Sequence, residues 1–182
     1  MVILIGGASH TGKTLLAQRM LEKYNYPYLS LDHLKMGLIR SGITDLTPED
    51  DEALTALLWP IVREMIRTVL ENRQNLIVEG CYIPFDWRRD FSEEEQRRLR
   101  FLCLAMSDAY IERHFGEILA RESVIESRLF AADCTVSGLK ADNKFYREGF
   151  RRAGERVVLI EAEYEERLAA LLDEALPDCP VE

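Results

Sequence analysis

The chain has 182 residues, of which 47% are hydrophobic and 30% charged, and its formal net charge is −9. That length suits a single domain, residues 1–182, with a full core, and the composition is that of a globular protein. The acidic balance argues against a nucleic-acid binder, and no apolar run reaches the ~18 residues that a membrane helix needs.

Taken in chain order, Met1-Val2-Ile3-Leu4-Ile5 is a short β-branched run that predicts a buried strand. Gly7-Ala8-Ser9-His10-Thr11-Gly12-Lys13-Thr14 follows and fits G-x-x-x-x-G-K-[ST] at every fixed position. Thr14 to Tyr24 predicts a helix, with Ala17, Met20, Leu21 and Tyr24 on one face. Tyr26–Leu31 predicts a second strand and His33–Ser41 a helix after it. Glu49–Gln74 is a long helical stretch in which Pro60 should cause a kink or a restart. Asn75–Val78, Leu99–Ala105 and Arg156–Ile160 predict three further strands. Ser107 is placed to cap a helix running through Leu129. Phe130–Gly154 is less apolar, and reads equally as a lid that closes over a ligand or as a surface excursion. Glu163–Ala175 predicts the last helix. Short strands alternating with helices imply βαβ units and an α/β fold on a parallel sheet.

The chemistry starts at the glycine-rich run. A strand, a tight turn and a helix N-terminus aim free backbone N–H groups at one point, and the helix dipole favours an anion there. Gly7 and Gly12 permit backbone angles and close approach that a Cβ blocks. Lys13 sets an ammonium against the β- and γ-phosphates of a nucleotide, and the Thr14 hydroxyl is the expected Mg²⁺ ligand. Together Gly7, His10, Thr11, Gly12, Lys13 and Thr14 are the expected nucleotide-binding residues.

The order of elements, with this loop, resembles the P-loop small-molecule kinases: adenylate-kinase-like, gluconate- and shikimate-kinase-like enzymes and the chloramphenicol phosphotransferases. The resemblance implies a three-layer P-loop NTPase fold with a five-stranded parallel sheet in the order 2-3-1-4-5, flanked by helices and carrying a small lid. It also implies ATP and Mg²⁺ as cofactors and phosphoryl transfer to a small-molecule acceptor. Residues of roughly 33–74 would form an acceptor-binding helical insertion, and roughly 121–154 the lid. Asp32 stands where the superfamily keeps an acidic residue facing the acceptor. It would take or orient the acceptor hydroxyl's proton, cap the following helix, or do both. Glu79, in the ending Ile77-Val78-Glu79-Gly80, would hold a water of the Mg²⁺ shell or the ion itself, and Gly80 would leave room for substrate.

Arg40 lies at i+8 from Asp32 on one helix face and resembles an acceptor-site arginine. The adenylate-kinase ending is not kept: Arg88 and Arg89 come only later, which weakens a nucleoside-monophosphate acceptor. Tyr82 and Trp87 follow Gly80 and could wall the acceptor pocket, so Asp32, Arg40, Tyr82 and Arg88 are the expected substrate-binding residues. Arg121 and Arg128, within about 80° of Arg113 on an ideal helix, resemble lid arginines that reach the γ-phosphoryl group. An ion-pair face with the interleaved glutamates explains them equally well. Asn143-Lys144-Phe145-Tyr146 lacks the Asp of a guanine-reading N-K-x-D, which disfavours a GTPase switch. A non-catalytic or regulatory nucleotide-binding protein is the alternative reading. Cys81, Cys103, Cys134 and Cys179 are widely spaced, giving neither a zinc pattern nor a disulfide framework. With no signal peptide apparent, a cytoplasmic monomer or homodimer with no membrane or nucleic-acid partner is expected.

Overall fold

The computed structural model describes residues 1–120 and 134–175. Five parallel strands, β1 (Val2–Gly7), β2 (Tyr28–Ser30), β3 (Leu76–Glu79), β4 (Leu99–Met106) and β5 (Val157–Ile160), lie in the order β2-β3-β1-β4-β5. The helices are α1 (Lys13–Tyr24), α2 (Leu31–Arg40), α3 (Asp51–Glu71), α4 (Glu93–Gln96), α5 (Asp108–Ala120), α6 (Val136–Arg152) and α7 (Tyr164–Ala175). Both the five-stranded parallel sheet and its expected order are present.

β1 is buried along its whole length, and the two-residue period of a strand divides its side chains between two cores. Val2 and Leu4 join Leu54, Leu58, Val62 and Ile66 of α3 and Phe150 of α6. Ile3 and Ile5 join Leu16 and Met20 of α1 and Leu171 of α7 on the opposite side. The result is the helix–sheet–helix sandwich that buries a parallel sheet on both faces.

α3 runs unbroken through Pro60, where a kink or restart is expected. Pro60 leaves the carbonyl of residue 56 without its helical donor. Pro60 and Ala56 are both exposed, so that carbonyl can turn to water, while Leu54, Leu58, Val62 and Ile66 keep the opposite face in the core. α5 begins as expected, with the Tyr110 N–H donating to Ser107 Oγ at 3.1 Å. The expected continuation to Leu129, with Arg121 and Arg128, lies outside the described residues.

Residues 121–133 of the expected lid also lie outside the described residues. From Val136 onward the segment is α6, tied to the sheet at two points. Asn143 Oδ1 accepts the Met106 N–H at 2.7 Å, and Asn143 Nδ2 donates to the Leu139 carbonyl at 2.8 Å. Asn143 is therefore used up inside the fold rather than offered to a base. Phe150 packs its ring against Phe85 and Phe101, with centroids 4.8 and 4.5 Å apart. Gly149 makes the Phe85 contact possible, because a Cβ there would lie 2.3 Å from that ring. Phe150→Ala should cost about 3–5 kcal/mol through lost burial and the cavity left behind, measured by denaturant unfolding. No described helix is long and apolar enough to cross a membrane.

Candidate active site

Three strand ends meet under the glycine-rich loop. Ser30 of β2 is in register with Glu79 of β3, and Glu79 is in register with Ile5 of β1, two residues before Gly7. This is the carboxyl edge of a parallel sheet, where ligands bind in open α/β folds. Gly7 (φ 131°) brings the loop onto β4 so closely that a Cβ would stand 2.1 Å from the Leu104 carbonyl oxygen. His10 (φ 63°) and Gly12 (φ 89°) adopt left-handed angles as the chain turns into α1.

Inside the loop, Lys13 Nζ donates to the Ala8 carbonyl at 2.7 Å and is nearly buried. Thr11 Oγ1 donates to the same carbonyl at 2.9 Å, which fixes the loop's curvature. Thr14 Oγ1 donates to Glu79 Oε1 at 3.3 Å, so the expected Mg²⁺ pair lies side by side. Glu79 is a carboxylate at 1% exposure, and close by in the sheet Ser30 Oγ is buried without a hydrogen-bond partner. Hydroxyl and carboxylate oxygens are the donor chemistry Mg²⁺ accepts. Among the described residues no group of three or more His, Cys, Asp or Glu forms a metal cluster.

The side expected to receive an acceptor begins at Gly80. Its Cβ, if present, would lie 2.6 Å from Leu31 Cβ, so the glycine's space is taken by the first turn of α2 rather than left for substrate. Asp32 lies inside that turn, with Ser30 at the capping position, and its negative charge suits the helix N-terminus. Lys35 Nζ donates to Asp32 Oδ1 at 2.8 Å and to the Tyr82 hydroxyl at 3.0 Å; the Tyr82 hydroxyl in turn donates to Asp51 Oδ1 at 3.2 Å. The Lys35 ammonium also sits 5.1 Å from the centroid of the Tyr82 ring. Burial, followed by the charges of Asp32 and Asp51, raises the Tyr82 phenol well above its ordinary range, so it stays a proton donor.

Cys81 joins the two halves. Its Sγ lies 3.8 Å from Ser9 Oγ in the loop. Burial raises the thiol, the Lys13 charge opposes that, and Asp32 and Glu79 add to it. Gly80→Ala should push α2 outward, costing about 1–3 kcal/mol by overpacking, which thermal unfolding checks.

The other expected residues are placed as follows. Tyr82 lies in the network above. Arg88 donates to both carboxylate oxygens of the buried Glu155, at 2.5 and 2.9 Å, and stacks 4.4 Å from the Trp87 ring centroid. Trp87 is fully buried in the core beneath it, stacked on Phe101, and not on a pocket wall. Arg40 is exposed at the last position of α2. Arg121 and Arg128 lie outside the described residues. Lys35, Asp51 and Tyr164 were not singled out from sequence. Lys35 had one signal, the i, i+3 spacing from Asp32. Asp51 opens a distant helix, and Tyr164 places its hydroxyl where a Cβ on Gly12 would come within 1.8 Å. Neither position has a motif.

The family model described as an AAA domain matches residues 2–131. No curated protein matches the chain. Deoxyadenosine kinase from M. mycoides superposes with a TM-score of 0.60 at 12% identity, over 97% of this chain and 100% of that one. A sugar kinase from Janibacter sp. gives 0.56 at 16% identity over 97% and 92%, and shikimate kinase from Aquifex aeolicus gives 0.52 at 14% over 98% of each chain. With its glycine-rich loop, its sheet order and a family match over most of its length, the chain belongs to the AAA domain family and has the fold of the P-loop small-molecule kinases.

Proposed function

We propose that the protein is an ATP- and Mg²⁺-dependent kinase that phosphorylates a hydroxyl group of a small molecule. The observation that carries this reading is that Cys81, whose Sγ lies 3.8 Å from Ser9 Oγ of the glycine-rich loop, is followed directly in the chain by Tyr82 of the Asp32–Lys35–Tyr82 network. A phosphate cradle alone serves many functions; a carboxylate held beside it by a lysine supplies the second half of a transfer site.

In the proposed reaction the acceptor oxygen bonds to the γ-phosphorus as the bond to the β–γ bridging oxygen breaks. ADP leaves, and the acceptor's proton passes to Asp32. Lys13 and the loop N–H groups hold the β- and γ-phosphates and meet the charge that develops on them. Lys35 holds the Asp32 carboxylate in place, and Tyr82 ties Lys35 to Asp51 across the cleft. The Thr14 hydroxyl and Glu79 carboxylate would hold Mg²⁺, which neutralises phosphate charge when bound. Arg121 or Arg128 is proposed to reach the transferring group from residues 121–133. The buried Asn143 and the missing N-K-x-D aspartate disfavour a GTPase switch.

The test is ADP release in the presence of MgATP across a broad panel of hydroxylated metabolites. Acceptor-dependent release supports a kinase. Tight nucleotide binding with no acceptor-dependent release across the panel supports the alternative, a non-catalytic nucleotide-binding protein.

A further inference from the structure

We infer that Ser30 is a further residue of the Mg²⁺ site, its Oγ accepting a hydrogen bond from a water molecule on the ion beside Thr14 and Glu79. The inference rests on the reading above only where that reading sets Mg²⁺ against Thr14 and Glu79, and it adds a residue to that site.

Ser30 stands at the capping position of α2, where a serine hydroxyl ordinarily accepts a backbone N–H of the first turn. Here it makes no capping bond. Ser30 is 3% exposed, and its Oγ is buried with no hydrogen-bond partner among the described residues. A hydroxyl buried in that way costs stability, and native folds usually meet such a group with water, an ion or a ligand.

The sheet decides which way the hydroxyl faces. Tyr28 of β2 and Ile77 of β3 are register partners, and both pack in the core beneath α1. Ser30 and Glu79 are register partners two residues further on, and Ser30 still has an extended backbone. The two-residue period of a strand therefore carries both to the α1 face, at the carboxyl edge of the sheet. α1 packs against β2 and β3, and Thr14 near its start donates to Glu79 Oε1 at 3.3 Å. Leu29 and Tyr82 pack in the opposite core, with α3. The Ser30 hydroxyl is thus turned toward the Thr14–Glu79 pair and away from the Tyr82 side, where an acceptor is proposed to bind.

Mg²⁺ takes few protein ligands and keeps several waters, whose protons need acceptors. The Glu79 carboxylate supplies one acceptor from β3, and Ser30 Oγ supplies a neutral one from the neighbouring position of β2. The second oxygen brings no second buried anion to desolvate.

The experiment titrates the full chain and its Ser30→Ala variant with a non-hydrolysable ATP analogue by calorimetry, in excess Mg²⁺ and in EDTA, with melting curves of both proteins free of ligand. Mg²⁺ should tighten binding to the parent chain. Ser30→Ala should lose about tenfold of that gain, the scale of removing a group that holds a metal's outer shell. It should bind the analogue unchanged in EDTA, and melt at or above the parent, because the deleted hydroxyl has no partner to lose. An undiminished Mg²⁺ gain overturns the inference and leaves the hydroxyl to a structural water. An equal loss with and without Mg²⁺, or a lower melting temperature, also overturns it, because the hydroxyl then serves the loop or the fold. No Mg²⁺ gain in the parent chain removes the metal from the reading above and the inference with it. A Ser30-dependent gain with no acceptor-dependent ADP release across the panel leaves the inference standing and removes the kinase reading.

Discussion

Lys13→Ala should lower phosphoryl transfer by about two to three orders of magnitude, the scale of losing one preorganised donor to a developing charge. The expectation follows from where the ammonium is kept. It is nearly buried inside the loop and bonded to the Ala8 carbonyl at 2.7 Å, so it is positioned before nucleotide arrives and costs little reorganisation during transfer. The loop's curvature is held independently by Thr11 on the same carbonyl and by the close approach of Gly7 to β4. The variant should therefore fold. Steady-state kinetics beside a melting curve separates the two effects: a collapse of kcat at nearly unchanged stability is expected, and a parallel loss of both would make Lys13 a structural residue.

Asp32→Asn should be the second large effect, lowering kcat by about 10²- to 10⁴-fold as the proton acceptor is lost. Nucleotide affinity should survive, because the loop, Thr14 and Glu79 do not depend on Asp32 for position. The substitution is nearly isosteric and keeps an oxygen for Lys35, so α2 should stay in place over Gly80. Nucleotide Kd by calorimetry and kcat on the same preparation check this. Full kcat in the variant would remove Asp32 from the chemistry and leave it as an ion-pair partner of Lys35.

The parts of this molecule legible in the sequence are those with a local cause. Each expected strand is present, because a short apolar run between turn formers has few other ways to bury itself. Asp32 and Glu79 were visible because they end such runs, and strand ends line the ligand edge. The partners that give them context were not visible. Asp51 meets Tyr82 only because α3 packs back against β1 and α2, and nothing in either segment announces that contact. Arg88 was expected to bind substrate, yet its fork fits the buried carboxylate of Glu155, 67 positions away. Gly80 read as space for substrate, and the space is filled by Leu31, a packing fact set by the angle at which α2 leaves β2. Pro60 read as a break, but propensity gave way to the apolar face of a 21-residue helix.

The central claim is that one cleft holds both a phosphate donor and an acceptor hydroxyl. Phosphorus NMR of the protein with MgATP and an acceptor found by the ADP-release panel tests it directly. The account predicts loss of the γ-phosphate resonance, growth of ADP, and a new phosphomonoester signal of equal intensity, all abolished by Lys13→Ala. ATP consumption that yields only inorganic phosphate, with no phosphomonoester at any acceptor concentration, would contradict it.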